Sequence, residues 1–171
     1  MDDIKDKISK VEFTKVEFKL KKKEIIVVLV WTLLLTMVMI KAHYLLYLRN
    51  PRFFYFDIAY SRYQPPSLEI VDMLLLLVMS VVVGALLYDV KSLLFSYIAS
   101  IGIAFIVAVT YVTLFIWFIL DYGKNLSVIP FGWEWAIYMG FLNMLWVVFP
   151  YVMGISVIGI MIGYVLRTWL D

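Results

Sequence analysis

Outside the first two dozen residues, few side chains in this chain can carry charge, and their placement is the first pointer to chemistry. Lys41, His43, Glu69, Asp72, Asp121 and Glu134 punctuate or flank long apolar stretches. A charge at the centre of a bilayer costs roughly 2.5–3.5 kcal/mol or more unless it is paired, so ionisable groups in such stretches are functional candidates by default. Gathered at one end of a bundle, these six would line a small polar vestibule able to bind a lipid headgroup, a quinol or a proton-carrying chain. The competing account is structural: Lys41 snorkels outward or pairs with Asp72, and Glu69, Asp121 and Glu134 are charges at helix ends. His43, Lys41 and Asp72 are the cofactor-binding candidates on this reading.

His43 is the only histidine, so a bis-His haem or a His-rich metal centre cannot be assembled from this chain alone. It could complete a site held by another subunit, with a quinone or haem shared between them. The absence of cysteine removes disulfides, thiolate metal sites and cysteine nucleophiles. There is no Gly-rich phosphate loop, no His-Glu-x-x-His, no Gly-x-Ser-x-Gly elbow and no repeated membrane aspartate. No catalytic residue and no metal site are assigned, and catalysis by the chain alone is not expected.

The elements that must position these groups follow from composition. At 64% hydrophobic, 16% charged and a mean hydropathy of +0.94, the chain lies outside the soluble globular range. The apolar residues come in long runs rather than alternating, which predicts an all-α integral membrane protein and not a barrel. Four transmembrane helices are expected, over 25–48, 70–88, 93–120 and 133–166, forming one domain (25–171) behind a charged amphipathic tail (1–24). A secretory leader is the rival for the first span, but no small-x-small cleavage site follows it. The run Leu93 to Leu120 carries no charge and would reach about 42 Å as a helix against a hydrocarbon core of about 30 Å, so it must tilt or project. The last span contains Pro150, which predicts an interruption near Trp146 to Pro150. The short link Asp89 to Ser92 predicts that the second and third spans lie side by side and antiparallel.

Small residues supply the packing faces. Ser96, Ser100, Ala104 and Ala108 recur every fourth residue, as do Ser80 with Gly84 and Gly159 with Gly163, and such ridges let helices approach closely. Thr32 and Thr36 can bond back to their own helix or across to another, and Asn143 is expected to bond to a neighbouring helix.

Two further segments offer surfaces. In the tail, Lys-Val-Glu-Phe occurs at Lys10 to Phe13 and again at Lys15 to Phe18, and Val16 and Phe18 alternate with charges. The tail either solvates and orients the protein or docks on a cytoplasmic partner. Between the first two spans, Phe53, Phe54, Tyr55 and Phe56 belong in the headgroup layer or against a partner. Lysines 5, 7, 10, 15, 19, 21, 22 and 23 with Lys91 and Arg167 fall on one side of the membrane, and Arg49, Arg52, Arg62 and Lys124 on the other, which favours both termini in the cytoplasm. One Gln and three Asn, with Lys and Glu in the tail, are similar to thermophile composition.

The functional expectation is a non-catalytic accessory or scaffolding subunit of a larger membrane complex, in contact with lipid and other membrane subunits but not nucleic acid. One alternative is an accessory subunit of a respiratory complex bordering a quinol or haem site. The other is a small homo-oligomeric transporter or channel lined by Ser96, Ser100, Thr110, Thr113 or Asn143, although the uncharged span centres argue against a pump.

Overall fold

The structure is a computed structural model that describes residues 22–49, 66–87, 89–119 and 132–170. The tail faces at Val16 and Phe18, the aromatic loop Phe53 to Phe56 and Asp121 lie outside the described residues. Among those described, every regular element is helical. Helix α1 is Lys22–Arg49, α2 is Ile70–Leu86, and α3 is Val90–Leu114, which continues as a π turn over Phe115–Ile119. Helix α4, Gly132–Val147, runs through a second π turn, Val148–Val152, into α5, Met153–Leu170.

Three of these columns are long and apolar enough to cross a membrane: Lys22–Leu48, Val90–Ile119 and Gly132–Trp169. Helix α2 is apolar but has 17 residues, about 25 Å, just short of a hydrocarbon core of about 30 Å. The three long apolar helices point to a membrane-embedded protein.

Local chemistry sets the boundaries. Helix α3 starts at Val90, before the apolar run at Leu93, because Asp89 caps it: its carboxylate accepts from the backbone N–H and the hydroxyl of Ser92, both at 3.1 Å. The interruption expected around Pro150 is the π turn, in which the Met153 N–H bonds to the Val148 carbonyl, five residues back. A proline has no N–H for the usual ladder, and a wider turn absorbs the missing bond.

The pairing of helices differs from the expected hairpin. Helices α2 and α3 scarcely touch along their lengths despite the short link between them. Each packs instead with a parallel partner: α2 with α5, and α3 with α1. Residue pairs fix the direction, since Trp31 meets Tyr97 while His43 meets Phe115, and Ser80 meets Gly159 while Leu87 meets Arg167. The α4–α5 column runs antiparallel to α3, with Trp133 on Trp117 at one end and Met153 at Tyr97 further along. A tight link brings only two helix ends together; complementary faces decide which helices lie together over their length. Trp31, Leu35, Met39, Leu76, Val112 and Met144 are fully buried between the columns.

Candidate functional site

The charged residues concentrate where the end of α1 meets the start of α2. Glu69 is the extended residue capping α2 and Asp72 lies in the first turn, three residues on and on the same face. The exposed N–H groups and the dipole of a helix start favour carboxylates there. Lys41 Nζ donates to both oxygens of Asp72, at 2.9 and 3.0 Å, and to Glu69 Oε2 at 3.1 Å. The Asp72 side chain is only 7% exposed, whereas Lys41 and Glu69 remain 44% and 39% exposed. Burial of Asp72 is thus offset by a direct cation, while the other two partners stay near the surface of the bundle. Lys41 stands about 28 Å along α1 from Lys22, close to one hydrocarbon thickness. This cluster ties α1 to α2. Glu134 is on an exposed face of α4 and is not among the groups that Lys41 contacts.

His43, two residues beyond Lys41, turns inward where Lys41 turns out. It is 0% exposed, facing the core one turn beyond Met39 on the same stripe as Leu35. Helical periodicity, rather than distance along the helix, carries that information. Its ring stands edge-on to Phe115 at 5.5 Å, and Phe115 also receives Tyr47 at 5.2 Å and Tyr44 at 6.5 Å. The candidate histidine therefore sits in an aromatic cluster between α1 and the π turn that ends α3, separate from the groups that bind Lys41.

The small-residue faces point inward. Ser96, Ser100, Ala104 and Ala108 are all buried, and Ser100 meets α1 at Thr32. Thr32 Oγ1 lies 2.8 Å from both the Val28 carbonyl and Ser100 Oγ. One hydroxyl proton serves only one acceptor, so Thr32 donates to its own helix and accepts from Ser100. On the other side, a Cβ on Gly159 would come within 2.6 Å of Ser80 Cβ and 2.8 Å of the Leu77 carbonyl oxygen. Gly84 abuts the Ile160 backbone, and Gly163 the backbone of Val81 and Ala85.

Two contacts of this kind escaped sequence reasoning. Gly140 on α4 lies against α3, where a Cβ would stand 2.7 Å from Thr113 Oγ1 and 3.1 Å from the Val109 carbonyl oxygen. The signal was present, since Gly132, Ala136 and Gly140 recur every fourth residue, and all three are buried. Arg167 donates to the Leu87 carbonyl at 3.1 Å, occupying an orphan carbonyl at the end of α2. Asn143 donates to Met139 of its own helix at 2.9 Å.

Among the described residues no three His, Asp or Glu side chains form a set able to hold a metal ion. Among the described residues, the fold is all-helical, with three membrane-length helices and an ion-paired cluster where α1 meets α2. Comparison with family models, with curated proteins and with solved structures finds no match.

Proposed function

We propose that this chain is a four-pass membrane protein, with α2 as the fourth crossing and both termini cytoplasmic, acting as a non-catalytic packing subunit of a larger membrane complex. The order of helices supports four crossings, because α2 runs parallel to α5 and its one charge, Asp72, is in its first turn. The excess of basic residues beside Lys22 and Arg167 supports the orientation.

One observation carries the partner reading. The small residues that tie the bundle together are spent inside it, yet Gly102 on α3 and Gly154 on α5 face outward, and a Cβ at either would meet nothing within 4 Å. Gly102 sits among exposed Ile98, Ile103 and Ile106, and Gly154 beside exposed Phe149 and Pro150, so each is a notch in a bulky apolar surface. Lipid does not need such notches, whereas a neighbouring helix packs into them. The aromatic loop and the amphipathic tail are proposed as further contacts of the same complex.

The test is purification in mild detergent with mass spectrometry of the co-migrating chains, in wild type and in Gly102→Leu and Gly154→Leu. Stoichiometric foreign subunits that are lost in either variant, with the bundle still folded, support the reading. A particle holding only this chain overturns it.

A further inference from the structure

The helices of this bundle meet in two different ways. Helices α2 and α5 touch backbone to backbone, with Gly84 on the Ile160 backbone and a Cβ on Gly159 within 2.6 Å of Ser80 Cβ. Helices α1, α3 and α4 form a second group: Thr32 meets Ser100 at 2.8 Å, Trp117 stacks on Trp133, and Gly140 lies against Thr113 and the Val109 carbonyl. Between the two groups, among the described residues, only α1 and α2 lie side by side. Helices α3 and α5 are bridged instead by a long side chain, the Tyr97 hydroxyl reaching the Met153 carbonyl at 3.4 Å. Backbone approach locks two helices in one register, whereas contacts made through long side chains shift with a change of rotamer.

Two joints connect the groups, one at each end of the α2–α5 pair. The first is the link from α2 to α3, where Leu87 (φ −80°, ψ 114°) and Asp89 (φ −98°, ψ 128°) are extended, so no helix carries stiffness across it. The second is the π turn Val148–Val152 between α4 and α5. Asp72 is eight residues before Ser80 and Tyr151 eight before Gly159, about 12 Å along each helix, which sets the π turn level with the start of α2. Pro150 removes a ladder bond within the turn. Its outer side is open, since Phe149 is 69% exposed and a Cβ on Gly154 would meet nothing within 4 Å.

The geometry points to a molecule of two bodies, in which α2 and α5 swing together against α1, α3 and α4 about the line through these joints, with Lys41 as the latch. A pair held at both ends keeps that one rotation, and the rotation carries the flank of α2 toward or away from α1. The latch lies on this flank: Lys41 of α1 reaches the two oxygens of Asp72 at 2.9 and 3.0 Å and Glu69 at 3.1 Å. Lys41 and Glu69 are partly exposed, so solvent competes for these bonds. Opened, the bundle parts between α1 and α2. The device depends on neither the partner reading nor the orientation.

Distances between paired spin labels on the full chain in detergent test it, and the sequence has no native cysteine to replace. Labels at Met37 and Leu74 span the division, labels at Val78 and Val157 lie within the α2–α5 body, and labels at Leu29 and Leu94 lie within the other; all six positions are exposed. The Met37–Leu74 distribution is expected to be at least about twofold wider than either internal one. Lys41→Met with Asp72→Asn, which removes both charges of the pair rather than stranding one, should move it to longer distance and leave the internal distances unchanged. A Met37–Leu74 distribution as narrow as the internal two, without the latch substitutions, overturns the inference, and that arm does not depend on the double variant folding. Broadening of all three distances together in the double variant overturns it as well, as does a Met37–Leu74 distance that does not move.

Discussion

Gly163 on α5 lies directly against Val81 on α2, whose carbonyl oxygen occupies the space that a Cβ on Gly163 would need. The two helices touch backbone to backbone here, and the neighbouring contacts of Gly159 with Ser80 and of Gly84 with Ile160 extend the same seam. Backbone approach of this kind gives dispersion contacts along two parallel helices that lipid chains cannot replace.

Gly163→Ala should therefore force α2 and α5 apart and destabilise the bundle by about 1–3 kcal/mol, the usual range for overpacking. Gly102→Ala, where nothing lies within 4 Å, should be close to neutral. Unfolding in detergent monitored by circular dichroism separates the two. Equal effects at both positions would remove the seam as the explanation.

Lys41→Met should lower thermal stability more than Glu69→Gln does, because it strands the nearly buried Asp72 carboxylate, whereas Glu69 is a partly exposed second partner. Asp72→Asn in the Lys41→Met background should recover much of the loss. A double-mutant cycle measures the coupling, and additive losses would show that the pair does not hold α1 to α2.

Asp89 is held below the ordinary aspartate value of 3.8, first by the backbone N–H of Ser92. Its carboxylate favours the folded state in its ionised form, so the contribution is complete above 3.8 and is lost as pH falls through the lowered native value. Asp89→Ala should be destabilised at neutral pH, and its deficit relative to wild type should shrink below pH 3.8. Thermal melts across that range decide it; a constant deficit would assign the effect to something other than the ionised cap.

Trp117 and Trp133 stack with centroids 3.9 Å apart and planes 13° from parallel. Two indoles so close should give an exciton couplet in the ultraviolet circular dichroism that Trp133→Phe abolishes while the helical signal persists. Loss of the stack should cost about 0.5–1.5 kcal/mol beyond the area change. No couplet in the wild type would mean that α3 and α4 do not meet at this end.

Sequence alone determined the helical class and, of the four spans it predicted, the three that are membrane-length helices, because runs such as Leu93 to Leu120 must bury their backbone bonds within a helix. It also offered the pairing of Lys41 with Asp72 and the small-residue faces, since helical spacing places residues four apart on one face. What it could not supply was which faces meet. The short link at Asp89 favoured a hairpin of α2 with α3, but the fit of Ser80 and Gly84 to Gly159 and Gly163, across more than 70 residues of chain, joined α2 to α5 instead. His43 shows the same division: its distance along α1 was legible, its rotation into the core against Phe115 was decided by α3. Local spacing is written along one helix, whereas contact depends on the relative rotation and register of two, and that is set by close packing of the whole bundle.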